Sequence, residues 1–444
     1  MKKVLLIVCC FVVASCHKRE EQKSDAILAS PGFKEPDPLA LMLAPHAGEG
    51  RLDAQIRQLQ DQIRSRHDIG TKVEELGWLY VAKARESFDA GYYKLAEQCA
   101  VWLERKDPHA PEALFLRGHV LHNLHRFKEA EELANDVIAR RGMPADFGLL
   151  GDALMEQGKL EEAAGAYQDM ADLKPDLHAM VRAAHLRWLK GDLAGAIELA
   201  QDAAKSVSPR DADTAAWVLT RLATYEFQSG AVAAARVACT ESESLRAEYP
   251  PTLLLRGRML LAEGNSAEAL AVLKKAAALV PLPEYLWNLI EALQANGELV
   301  EARRVESELR RTGVLSDPRT LALFLATRGE DSRLSLRLAE EELENRQDIF
   351  SYDALAWALA AVGRIEDARN RMTKALREGT QDARLFFHAA VLADRATDPV
   401  ESAKWAGKAA ALKHLLLPSE REQLSRLAAS QFPNQSIGLA GAEK

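Results

Sequence analysis

Apolar and polar residues follow one another along this chain with helical spacing, in a pattern that recurs about every 34 residues. A glycine repeatedly stands five residues before an alanine, and a large apolar residue often lies three before it. The glycine would reverse the chain between two helices, and the small alanine would let those helices approach closely. The alanines, which step by 34, 33, 33, 39, 34, 33 and 66 residues, are Ala96, Ala130, Ala163, Ala196, Ala235, Ala269, Ala302 and Ala368.

Two irregular steps refine this pattern. The last step is twice 33, which predicts a degenerate repeat near Ser335. The step of 39 predicts an extra loop around Ser206 to Pro209.

The repeat length and these recurring positions resemble the tetratricopeptide repeat (TPR). The resemblance implies an all-α fold, a TPR-type α-solenoid in which helix-turn-helix repeats form a right-handed superhelix. About ten repeats would fill residues 71–416. Because each repeat buries its apolar stripe only against its neighbours, we expect one elongated solenoid instead of the three domains that 444 residues suggest.

Both ends of the solenoid are expected to carry caps. The apolar pattern of residues 51–70 predicts an N-terminal cap helix, on which the apolar side chains from Leu52 to Ile63 form one stripe. A short coiled-coil dimer is the alternative interpretation of this stripe. Residues 417–432 predict a C-terminal cap helix that begins with a capping box of Ser419 and Glu422. Residues 433–444 are interpreted as a tail.

The N-terminus has the features of an export signal. Lys2 and Lys3 precede a ten-residue apolar stretch, which is too short to span a bilayer. The sequence Val13-Ala14-Ser15-Cys16 follows, and it resembles the signal of a bacterial lipoprotein. The resemblance implies removal of residues 1–15 and lipidation of Cys16. An ordinary secretory signal cut near Ser15, or an uncleaved helix, is the alternative.

Residues 16–50 contain four prolines and are interpreted as a flexible tether after the lipidated cysteine. His17, not aspartate, follows the cysteine, and the family's sorting rule then favours the outer membrane over the inner one. The expected location is therefore the bacterial cell envelope, lipid-anchored and facing the periplasm.

The charge and the cysteine content of the chain exclude several classes of protein. The formal net charge of −8 lacks the basic footprint of a nucleic-acid-binding protein. Five cysteines are too few for a disulfide scaffold, and Cys99 and Cys239 are expected to be buried free thiols. His119 and His122 share a helix face, but no third ligand accompanies them, so we expect no metal and no cofactor.

Aromatic residues recur on the first helix of the repeats. In TPR proteins four positions of this helix face a concave groove, and five of the seven tryptophans fall on them in this chain. The resulting hypothesis is a groove that binds an extended peptide or a helix; packing of each aromatic residue between repeats is the alternative. The candidate partner-binding residues are Trp78, Phe88, Phe115, His119, His122, Trp188, Trp217, Phe227, Trp287, Phe350 and Trp357.

No known catalytic motif is found, so the chain is not expected to be an enzyme. We expect a membrane-anchored envelope scaffold whose partners are other envelope proteins or peptides. A carrier of a lipid or glycan ligand and an envelope enzyme with an unrecognised site are the alternatives. The sequence leaves the oligomeric state open.

Overall fold

The computed structural model describes residues 37–65 and 69–431, in which 23 α-helices and no strand are found. The signal peptide, Cys16 and the tail at 433–444 lie outside these residues. The helices are α1 Pro38–Met42, α2 Arg51–Ser65, α3 Gly70–Ser87, α4 Gly91–Lys106, α5 Pro111–Asn123, α6 Phe127–Arg140, α7 Pro144–Glu156, α8 Leu160–Leu173, α9 Leu177–Leu189, α10 Leu193–Lys205, α11 Ala212–Gln228, α12 Val232–Leu245, α13 Pro250–Ala262, α14 Ser266–Leu279, α15 Pro283–Ala295, α16 Leu299–Ser316, α17 Pro318–Arg328, α18 Ser332–Asn345, α19 Ile349–Ala361, α20 Ile365–Ala375, α21 Ala383–Arg395, α22 Pro399–Ala411 and α23 Pro418–Gln431.

Helices α3 to α22 form ten antiparallel hairpins, and each hairpin packs on the next. The fold class is thereby confirmed as an all-α, TPR-type solenoid. We call the first helix of each hairpin its A helix and the second its B helix. The extra loop lies between α10 and α11, as the step of 39 residues predicts.

The turn glycines explain the hairpins locally. Gly158, Gly191, Gly230 and Gly264 each end an A helix with φ between +72° and +85°, a conformation in which a Cβ atom is unfavourable. Gly91 differs from the expectation, because it begins α4 and the left-handed residue of that turn is Phe88, with φ of +55°.

The recurring alanines are buried between A and B helices, each no more than 3% exposed. Helices α17 and α18 form the degenerate repeat. There Ser335 occupies the alanine position, fully buried, and its hydroxyl donates to the Ala322 carbonyl at 2.8 Å. A serine can replace the alanine because its one polar group finds an acceptor.

The end of the expected tether is folded. From Asp37 onward the chain forms α1 and packs on α4, and Met42 is completely buried. The Met42 carbonyl accepts hydrogen bonds from the Tyr80 hydroxyl at 2.6 Å and from Gln60 Nε2 at 3.1 Å. These long-range bonds, together with burial of Met42, correct the expectation that the flexible segment continues to residue 50.

The superhelix closes on itself, so that successive turns are in contact. The far ends of α7, α9 and α11 meet the loops that precede α19, α21 and α23. Hydrogen bonds join residues 187 to 191 positions apart, which is about five and a half repeats. They run from the Gln347 amide to the Glu156 carbonyl (3.1 Å), from the Thr380 hydroxyl to the Leu189 carbonyl, and from His414 Nε2 to the Phe227 carbonyl (2.7 Å).

The C-terminal segment enters the inside of the superhelix. A 3-10 turn at Lys413–Leu415 and helix α23 pack against α13, α15 and α21, and three consecutive leucines, residues 415–417, are buried. The expected capping box of Ser419 and Glu422 does not form, and a single side-chain cap takes its place. Since Pro418 begins the helix, the Glu420 carboxylate accepts from the Leu417 amide at 2.8 Å, while the Ser419 hydroxyl donates to Glu291.

Cys99 and Cys239 are buried free thiols, which confirms the expectation for both. Burial raises the pKa of the Cys239 thiol to about 12, so it remains protonated. Among the described helices, none is both long enough and apolar enough to cross a membrane.

Candidate functional site

Three of the candidate groove residues come together on the first two A helices. Trp78 of α3 lies 5.6 Å from Phe115 and 5.4 Å from His119 of α5, measured between ring centroids. All three side chains are partly exposed. We call Trp78, Phe115 and His119 the N-terminal aromatic patch.

Charged groups hold this patch in place. His119 Nε2 accepts a hydrogen bond from Arg85 at 2.8 Å, and the Arg141 guanidinium lies 5.1 Å from the centre of the Phe115 ring. Burial, reinforced by the Arg85 charge, lowers the pKa of His119 to about 3. His119 is therefore neutral at physiological pH and acts as an acceptor.

A carboxylate lines the same face. Burial and the nearby Glu112 raise the pKa of Glu74. Arg141 offsets part of this negative charge, since it lies 3.4 Å from Glu112 and also pairs with the fully buried Asp146 at 2.8 Å. The patch thus presents two aromatic rings and a neutral imidazole between charged groups of both signs, a combination suited to the aromatic and apolar side chains of a polypeptide.

His122 and metal binding can be judged from the same region. His122 packs edge-on against Phe127 with a centroid distance of 5.4 Å, away from the patch. Within residues 37–65 and 69–431, no group of three His, Cys, Asp or Glu side chains is placed to hold a metal ion.

Four candidate groove residues are buried instead of exposed. The side chains of Trp188, Phe227, Trp287 and Trp357 are between 2% and 8% exposed. The structure therefore corrects the expectation that these four residues line an open groove. For Trp188, Phe227 and Trp287 the physical reason is that later parts of the chain cover the concave face of the middle repeats. Trp357 is instead buried between neighbouring repeats, where it stacks on His388 with ring centroids 4.0 Å apart.

Two of these burials illustrate the covering. The Arg384 guanidinium lies 4.9 Å from the Trp287 ring, and the indole donates to Glu291, which also binds Ser419 at the start of α23. Phe227 packs edge-on against His414 at 5.2 Å. In both cases the A-helix aromatic residue contacts a part of the same chain more than 90 residues away.

The other candidates are dispersed. Phe350 stacks on Trp188 from the facing turn of the superhelix, with ring centroids 5.7 Å apart. Trp217 is partly buried in a small cluster with Val181 and Val218, and Phe88 ends α3 against the main core. The eleven candidates therefore form no continuous strip.

The residues that close the superhelix were missed by the sequence analysis. Thr380, His414 and Ser419 fall at no recurring position of the repeat, so a period of 33 or 34 residues gives no signal for them. One local signal was present: three consecutive leucines, residues 415–417, are too apolar for an exposed end of a solenoid.

Comparison with protein families gives one match. The tetratricopeptide repeat model matches residues 81–145, 149–213 and 254–313. No curated protein matches the chain.

The chain also resembles solved structures. It is similar to yeast Tom70, with 16% identity, coverage of 87% of this chain and 93% of that chain, and a TM-score of 0.32. It is also similar to a chain of the APC/C hetero-tetramer Cut9-Hcn1, with 12% identity and a TM-score of 0.37. That match covers 88% of this chain and 98% of the other chain. From its ten hairpins and its three matched segments, we conclude that the chain contains tetratricopeptide repeats over the matched residues and has an all-α solenoid fold of the same type from α3 to α22.

Proposed function

We propose that the protein is a lipid-anchored, non-catalytic scaffold of the bacterial cell envelope, which binds partner proteins or peptides at the N-terminal aromatic patch. The observation that carries the proposal is the partial exposure of Trp78, Phe115 and His119 on two adjacent A helices. The other aromatic candidates that have long-range contacts already pack against distant parts of the same chain.

The position of the patch fits this role. It lies in the first two repeats, close to the folded segment that begins at Asp37 and leads back to the N-terminus. A protein held in a membrane by Cys16 would carry the patch near its anchored end. The lipid chains would be needed in more than one copy, because a single acyl chain binds a bilayer only marginally. Other envelope proteins, at the outer membrane by preference, are then the accessible partners.

Replacing Trp78 and Phe115 together with alanine is expected to reduce partner capture about tenfold or more, because truncated aromatic anchors each cost about 1 to 4 kcal/mol of binding free energy. The measurement is quantitative cross-linked pull-down from membranes. The matched control is Val237→Ser on α12, an exposed apolar residue on a B helix, which should leave capture unchanged. Equal capture by the double variant and the control, at unchanged helical circular dichroism, would place the binding surface elsewhere.

Replacing Cys16 with serine is expected to move the protein from the membrane fraction to the soluble fraction, since serine offers no thiol for lipidation. Cys10→Ser, which changes a thiol within the apolar stretch of the signal, is the control and should remain membrane-bound. The measurement is fractionation, with mass spectrometry of the mature N-terminal peptide for the added acyl mass. Membrane retention of Cys16→Ser would refute the anchor.

A further inference from the structure

The inner face of the superhelix lines a central chamber that is partly open to solvent and has a volume of about 630 Å³. Its wall comes mainly from the A helices α7, α9, α11, α13, α15, α17, α19 and α21, with Lys374 from α20, and from the loops that close one turn onto the next. Small-molecule sites in proteins typically measure about 300 to 1,000 Å³. The chamber is therefore large enough for a metabolite, and it lies apart from the N-terminal aromatic patch.

The chamber wall carries a surplus of positive charge. Seven basic and five acidic side chains line it. Two of the five acidic groups form ion pairs with basic residues of the same wall. Glu156 pairs with Arg346 at 2.5 Å, and Asp348 pairs with Arg319 at 2.9 Å. Among the described residues, Arg221 and Lys374 have no carboxylate within 4.0 Å. These two cations are the ones available to a ligand.

The surroundings of Arg221 do not neutralise it. Its side chain donates to His185 Nδ1 at 3.3 Å, and its buried Nε has no partner among the described residues. Burial and the Arg221 charge hold the pKa of His185 well below its usual value, so the imidazole is neutral and cannot offset another charge. Lys374 is exposed to solvent, and its Nζ lies 5.1 Å from the centre of the Tyr352 ring. Two cations without a carboxylate partner in one concave wall attract an anionic ligand.

We infer that the chamber binds a small organic anion, whose carboxylate, phosphate or sulfonate group contacts Arg221 and Lys374. The body of the same molecule packs beside Trp188. This activity is independent of the protein-binding surface proposed above.

The test uses the full chain and the fluorescent anion 1-anilinonaphthalene-8-sulfonate, whose binding is followed by energy transfer from the chamber tryptophans. Arg221→Gln with Lys374→Gln should weaken binding about tenfold or more. The matched control is Lys205→Gln with Arg304→Gln. It removes the same two charges from side chains that are 74% and 62% exposed, and it should change affinity by less than about twofold.

Two further measurements keep the test decisive. Lys374→Gln alone serves if the double variant fails to fold, and Arg221→Lys, which keeps the charge, should retain most of the binding. Equal affinity of the double variant and the control would overturn the inference. So would equally tight binding of the uncharged analogue N-phenyl-1-naphthylamine to the wild-type chain, since that result would indicate an apolar ligand such as a lipid.

Discussion

Alanine in place of Gly191 is expected to lower the free energy of unfolding by about 3 kcal/mol, against about 1 kcal/mol for alanine in place of Gly264. Both glycines have φ of +82°, so both substitutions carry the cost of a left-handed alanine. Only at Gly191 would the added Cβ meet another turn of the superhelix, 2.6 Å from the Gly379 carbonyl oxygen. Nothing lies within 4 Å of it at Gly264. The difference between the two variants therefore measures the contact between turns.

The measurement for this pair is urea unfolding, combined with small-angle X-ray scattering. The alanine at position 191 should increase the radius of gyration as the turns separate, and the alanine at position 264 should not. Equal losses of stability and equal radii would mean that successive turns do not touch in solution.

Replacing Glu420 with alanine is expected to cost about 3 kcal/mol of stability, because it leaves the Arg384 guanidinium without its carboxylate. Glu420 is fully buried and accepts hydrogen bonds from Arg384 Nε at 2.6 Å and from the Leu417 amide at 2.8 Å. The estimate is at the low end for a broken ion pair, since the Arg384 side chain retains 29% exposure toward the chamber. The control is Glu422→Ala, two residues further along α23. Its 64%-exposed carboxylate pairs with the exposed Arg426, and the substitution should cost less than about 1 kcal/mol.

The same pair predicts a pH dependence. Burial acts to raise the pKa of Glu420, but the Arg384 charge and its hydrogen bond overcome this effect and hold the pKa below 4.5. A carboxyl with a lowered folded-state pKa contributes stability above its unfolded pKa and loses it as the pH falls through the folded value. Wild type should therefore lose stability more steeply than Glu420→Ala between pH 5 and the acid limit, by unfolding at a series of pH values. Parallel pH profiles would show that the pair is not formed.

Local pattern was sufficient to predict the repeats, because each repeat contacts its neighbours and the contacts are set by residues such as Ala163 and Gly158 that recur in most units. It could not predict that Trp287 would be covered by Arg384, since two side chains nearly 100 residues apart meet only through the accumulated rotation of the repeats. The N-terminal aromatic patch survived as a candidate because the covering turn does not reach α3 and α5.

The constant separation of 187 to 191 residues between contacting positions has a consequence for the evolution of this architecture. In an open solenoid a unit can be duplicated or lost anywhere, because the rest of the array simply shifts along. Here an inserted or deleted unit between α8 and α18 would move every later loop out of register with the wall it rests on. The number of repeats between α8 and α18 is therefore fixed. Duplication of a repeat remains compatible with the fold only on the N-terminal side of this stretch.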